Sequence, residues 1–322
     1  MYDPGMTVAR TGYRLACGLA MTACASAIHA RAPQEPPAQP PTAATTAGTA
    51  NTANTAVNTT AEAPPRPCGT LDCLAFPTPQ AAFEYVLRSE PRVLAVGEAH
   101  AQQGTAQIRS STRRFAEQLL PLLSGKSKHI VIELLLANCK PHTSAQVAQT
   151  QAPVTEQQAQ SNQAEFLTLG KYAKRLGIEP QALAPECAEY DSVIAARNDG
   201  VARLLSIVAE QTRKSVLALL AEPEPGLVVT YGGALHNDLY PRPGQESWSF
   251  GPALAQASLG HYVELDLIVP EFVKDSEAWR NLPWFQAFDR DHLPTETLLF
   301  RPAPGTFTLI FPKTETTSGQ GL

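Results

Sequence analysis

VLAVGEAH, Val93 to His100, is the stretch from which the rest of the chain is read. Val93 to Val96 have the apolar, partly β-branched character of a strand buried on both faces, and Gly97 lets the chain turn without a Cβ penalty. Glu98 and His100 follow with one residue between them, so a hydrophobic strand ends by presenting two titratable groups. In open α/β sheets the ligand crevice lies beyond the carboxyl ends of the strands, where such side chains reach it. A carboxylate and an imidazole there suit general acid–base work or metal ligation. Taken as four letters alone, GEAH also fits a helix N-cap carboxylate beside a surface histidine.

Working outward, strand and helix take turns. PQAAFEYVLRSE before this stretch predicts a helix, as does IRSSTRRFAEQLLPLLSG after it, and HIVIELLLA predicts a second buried strand. VIAARNDGVARLLSIVAEQT predicts one long helix, GLVVTYGGAL and HYVELDLIVPE two further strands, and TFTLIF a last one at a sheet edge. Short, nearly continuous apolar strands separated by helices predict an α/β fold with a mainly parallel central sheet flanked by helices. Residues 139–165, rich in Gln, Ala and Thr, interrupt the rhythm as a helical or flexible insertion placed to act as a lid.

The other strand ends repeat the opening pattern. Glu133 sits inside the apolar run HIVIELLLA, where a carboxylate is costly unless a cation, a metal or a protonated histidine pairs with it; its plainer role is a structural ion pair. In YGGALHND, Gly232 and Gly233 permit close backbone approach and His236 follows. Arg197 and Asn198 open an apolar-striped helix, with Asp199 in its first turn. Arg197 is placed to clamp an anion or pair with Glu133, or else to form a surface salt bridge. No G-x-S-x-G motif occurs, so activation of water is expected rather than a covalent serine intermediate.

The chain begins with the marks of export. Residues 1–30 read as a signal peptide, with Arg10 and Arg14 before the short apolar run LACGLAMTACASA. Within it, MTAC has the form of a bacterial lipobox that makes Cys24 a lipidation candidate; an ordinary cleavage site near Ala25 to Ala30 is the alternative. Residues 31–67, nearly all Ala, Thr, Pro, Asn, Gln and Glu, predict a disordered tether. The domain is expected over 68–322. Of six cysteines, Cys17 and Cys24 fall in the signal, leaving Cys68, Cys73, Cys139 and Cys187, which allow three pairings. Cys68 with Cys73 closes a small loop, and Cys139 with Cys187 ties off the insertion; without C-x-x-C, a zinc site has little support. A net charge of −5 without long Lys/Arg runs gives no footprint for nucleic acid. Membrane contact is expected only through a lipid anchor, and localisation in the bacterial cell envelope.

In order, G-E-x-H after a first strand, Glu133 on a second, Arg197-Asn198 opening a long helix and G-G-x-x-H after a third strand resemble the TIKI/TraB and ChaN superfamily. That group includes TIKI metalloproteases, ChaN-like haem-binding lipoproteins and erythromycin esterase-like proteins. The resemblance covers about Arg92 to Glu271. Gly97 and His100 match its G-x-x-H element, Glu98 its ChaN and esterase-like glutamate, and His236 its later histidine. The erythromycin esterases place an extra residue between Glu and His, which GEAH lacks. The resemblance implies a hydrolase-type site of Glu98, His100, Glu133, Arg197, Asn198 and His236 acting on an ester or amide of a small molecule or peptide. Its metal-dependent form takes Glu98, His100 and His236 as ligands of a divalent ion. The alternative is a haem or small-ligand pocket, with Tyr172 or Tyr190 near the insertion as axial candidates.

Overall fold

A computed structural model describes residues 63–136 and 139–315. The segment read as a signal peptide, with Cys17 and Cys24, most of the stretch read as a tether, and the last seven residues lie outside the described residues. Nine strands form a single sheet: β1 Arg66–Pro67, β2 Leu74–Phe76, β3 Val93–Glu98, β4 Ser127–Leu135, β5 Glu179–Leu183, β6 Leu227–Gly233, β7 Tyr262–Ile268, β8 Thr297–Phe300 and β9 Thr306–Ile310. Their order is β1-β2-β8-β9-β7-β3-β6-β4-β5. The six strands from β9 to β5 run parallel, and β8, β2 and β1 close one side in antiparallel sense.

Helices cover both faces, which is why the central strands are apolar throughout rather than alternating. On one face Leu94, Val96, Leu265 and Leu267 pack against α1 (Pro79–Leu87), the short α2 (Ser111–Arg114) and its continuation, and α4 (Asn162–Arg175), with Phe83, Phe115 and Phe166 in that core. On the other, Ala95, Val131 and Val228 pack against α5 (Cys187–Ala195), α6 (Gly200–Leu220) and α7 (Gly251–Ala257) through Tyr190, Leu204, Val208 and Leu254. The aromatic stretch Trp279–Phe285 supplies core: Trp284 and Phe288 pack with Phe300 and Ile310 at the antiparallel side.

Several expectations are corrected. TFTLIF is not an edge: β9 lies between β7 and β8, with β1 and β5 at the two edges. The long helix expected over Val193 to Thr212 is broken, because Arg197 takes a left-handed φ of 50° in a 3-10 turn that separates α5 from α6. Ile108 to Gly125 is not one helix either. After α2 it widens into a π-turn, Phe115–Leu119, and tightens into a 3-10 turn, Leu120–Leu123, with Pro121 lacking the N–H that a regular helix needs. The insertion is helical, as α3 (Pro141–Thr155) followed by the first turn of α4. Pairing of β1 with β2 carries the domain two residues into the stretch read as tether.

Both disulfides form: Cys68–Cys73, and Cys139–Cys187, which joins the start of the insertion to α5. Among the described residues no helix is long and apolar enough to cross a membrane. Since β1 runs against the parallel strands and β9 with them, the chain enters the domain and leaves it at the end where β3, β4 and β6 finish.

Candidate functional site

Strand register explains how four of the sequence candidates meet. In β3 the side chain of Glu98 shares a face with Leu94 and Val96, while in β4 Glu133 shares the opposite face of the sheet with Val131. The two carboxylates converge because β6 ends in glycines. A Cβ on Gly232 would collide with the Glu133 side chain, and one on Gly233 would sit 3.2 Å from His100 Nε2 and 3.6 Å from Glu133 Oε2. Glycine at 232 is thus a condition of the site, and at 97 as well, where a Cβ would stand 2.6 Å from the Asn237 amide.

Glu98 is saturated. Its Oε1 accepts from His100 Nδ1 at 2.7 Å, and its Oε2 accepts from Thr112 Oγ1 at 2.7 Å and from Tyr231 OH at 2.6 Å. The bond to Glu98 fixes the His100 tautomer with its proton on Nδ1, and Nε2 faces Gly233 and Glu133. Burial opposes charge on His100, but the hydrogen bond to Glu98 and the charges of Glu98 and Glu133 outweigh it, raising the imidazole pKa above 6.5. Burial likewise holds the Tyr231 phenol far above its ordinary range, with Glu98 adding to the effect.

Glu133 and His236 form a looser second pair. Glu133 Oε2 accepts from Gly233 N at 2.6 Å, His236 Nδ1 donates to Trp248 O at 2.7 Å, and Glu133 Oε1 stands 3.7 Å from His236 Nε2. That gap is too long for a direct hydrogen bond. Burial raises the Glu133 pKa, and His236, His100 and the Gly233 N–H pull it partly back. Beside the pair lies a cavity of about 10 Å³ whose walls include Thr230, Tyr231, Gly232, Asn237, Val208 and Phe250.

Arg197 and Asn198 are not brought in. Both are exposed, and α6 meets the cavity only at Val208 and Thr212, eight and twelve residues past its first residue, about 12 and 18 Å along the helix. Glu133 therefore pairs with His236 rather than Arg197. Both oxygens of Glu98 accept from protein donors. Among the described residues no group of three or more His, Cys, Asp or Glu side chains is gathered to hold a metal ion. A cavity of this size has no room for a porphyrin; Tyr190 is packed in the α5–α6 core and Tyr172 lies beneath Arg175.

A cover closes the site, and Glu98, His100, Glu133 and His236 are each at most 5% exposed. Phe166 of α4 packs its ring 6.0 Å from that of His100. The loop after β3 is stitched to the turn between α3 and α4 by Gln103 N to Gln157 O, Ala159 N to Ala101 O and Asn162 Nδ2 to Ala101 O, at 3.0, 2.8 and 3.1 Å.

Sequence reading overlooked Thr112, Tyr231, Phe166, Thr230 and a second acidic group on β7. Glu264, which is buried, and Asp266, which is partly buried, are carboxyl groups in an apolar run, the same signal that identified Glu133. Asp266 accepts from Asn237 Nδ2 at 3.0 Å and Glu264 from Leu239 N at 2.6 Å. Burial raises both carboxyl pKa values, that of Asp266 to about 7. Compared with known proteins, the chain matches no family model, no curated protein and no solved structure.

Proposed function

We propose that the chain is an exported hydrolase of the TIKI/ChaN type that activates water against an ester or amide bond. The observation that carries this reading is the convergence of two buried Glu–His pairs at the carboxyl ends of β3, β4 and β6. Glu98 accepts a 2.7 Å hydrogen bond from His100 Nδ1, which leaves Nε2 as the basic nitrogen. That nitrogen draws a proton from water as the oxygen attacks the carbonyl, and returns it to the departing alcohol or amine. Glu98 orients the imidazole and stabilises the imidazolium, and Tyr231 and Thr112 fix Glu98 in turn. His236 and Glu133 form the second acid–base pair beside it. Substrate entry requires the cover of α3, α4 and the loop after β3 to part. Export is supported by the two disulfides, which persist in oxidising compartments, and by the signal-like first thirty residues.

The test is hydrolysis of p-nitrophenyl acetate and of an alanine p-nitroanilide by wild type and His100→Ala, each with and without EDTA. Turnover lost in the variant and unaffected by EDTA supports the reading. Turnover that EDTA abolishes and Mn²⁺ or Zn²⁺ restores replaces it with a metal-dependent one, and no turnover of either probe counts against hydrolysis of simple esters and amides.

A further inference from the structure

The cavity beside Glu133 is ringed by polar atoms that have no protein partner: Glu133 Oε1, Thr230 Oγ1, His236 Nε2 and Asn237 Oδ1 are all buried and unbonded among the described residues. Each such atom is costly in a protein interior, and four around one cavity indicate a shared ligand. The volume, about 10 Å³, is that of a site for one water molecule, which commonly makes two to four hydrogen bonds when buried.

The orientation of Asn237 is determined by the structure around it. Its Nδ2 donates to Ala95 O at 3.2 Å and to Asp266 Oδ1 at 3.0 Å. The Ala95 carbonyl can only accept, so Oδ1 is the atom that faces the cavity. His236 is fixed in the same way: Nδ1 donates to the Trp248 carbonyl, so Nε2 faces Glu133. The donor and acceptor count then closes with a single proton on the Glu133–His236 pair. A water accepts from whichever partner carries that proton and from the Thr230 hydroxyl, and donates to the other partner and to Asn237 Oδ1.

We propose that this cavity binds one water molecule as a permanent part of the site, that Thr230 and Asn237 are the positioning residues that hold it, and that it carries the proton Glu133 and His236 share. The water spans the 3.7 Å between Glu133 Oε1 and His236 Nε2 and makes the two side chains one acid–base unit. A proton moves by transfer from one partner to the water while the water gives a different proton to the other partner, so charge and atoms balance. Asp266 supports the arrangement by holding the Asn237 amide. The water site stands on the cavity alone; only the use of its proton rests on the proposed hydrolysis.

The test is a set of crystal structures of the full chain, wild type, Thr230→Ser and Thr230→Val, at a resolution that places single waters, with p-nitrophenyl acetate turnover measured on each. A water within hydrogen-bond distance of the four atoms is expected in wild type and Thr230→Ser, and its loss or displacement in Thr230→Val. Turnover is expected to fall at least tenfold in Thr230→Val and to return in Thr230→Ser. A wild-type cavity without density overturns the proposal, as does density with the anomalous signal and contacts of about 2.1 Å that mark a metal ion. Loss of the water with turnover unchanged overturns its proton-carrying role. A wild type that holds the water and turns over no ester leaves the water site standing and counts against the hydrolase reading.

Discussion

At the scale of single residues, Glu98 is the group on which the proposed chemistry depends. Replacing it with Gln removes the charge that raises the His100 pKa and substitutes a donor where three protein donors converge. Turnover by Glu98→Gln should fall about 10²- to 10⁴-fold. The pH profile checks the cause: a general base works deprotonated, so wild-type kcat/KM should rise through a midpoint above 6.5, and the residual activity of Glu98→Gln should rise through a lower one. An unchanged midpoint would separate Glu98 from the titration of His100. GEAH, HIVIE and GGALH disclosed this pair and its neighbour because a charge after an apolar run, at a strand end, has few solvated explanations. Arg197 misled for a local reason. R-N-D reads as a helix start, and nothing in a linear pattern reveals that residue 197 turns left-handed and faces solvent.

Among elements, the cover decides access. Phe166 is fully buried against His100 and Tyr231, so Phe166→Ala should cost about 3–5 kcal/mol of stability by the usual penalty for a large core cavity. The same change should raise kcat/KM for bulky p-nitrophenyl esters relative to the acetate; a loss of turnover in proportion to ester size would contradict a gating role. The Cys139–Cys187 bridge spans 48 residues of sequence and, on the chain-entropy account, contributes about 4 kcal/mol. Cys139→Ser/Cys187→Ser should therefore lower the Tm, and hydrogen exchange should accelerate first in α3 rather than in β3 or β6. The parallel strands β3, β4, β6, β7 and β9 were legible because each is long enough, and apolar enough, to show itself. β1, β2 and β8 are two to four residues long, too short for periodicity to register. β5 carries Glu179, Pro180 and Gln181, a composition an edge strand tolerates but one that reads as loop.

For the whole molecule, burial of acids sets the response to pH. Asp266, Glu264, Glu133 and Asp238 all have carboxyl pKa values raised first of all by desolvation. The folded state thus holds protons that the unfolded state has released, and stability falls as pH rises. For Asp266 the window runs from 3.8, its ordinary value, to about 7, and the stabilisation of its protonated form is lost across it. The Tm should decline between about pH 4 and pH 8, and Asp266→Asn should flatten that decline and melt higher than wild type at pH 8. A Tm that rises over the same range would contradict the burial of these groups as acids.

The direction in which the chain enters and leaves the sheet has a practical corollary for anyone handling the protein. Arg66 enters β1, and Ile310 leaves β9, on the rim that surrounds the two Glu–His pairs. Beyond β9, Pro312 and Thr314 are bonded to Arg114 at 2.7 and 2.8 Å, two residues from the Thr112 that holds Glu98. A purification tag or resin joined next to Arg66 or just past Thr314 therefore sits on the rim that carries the Glu–His pairs, and the underside, where the strands begin, faces the bulk. Immobilised protein should lose access to large substrates before small ones, and a label meant to leave the site clear belongs on the underside, in the turn at Gly226.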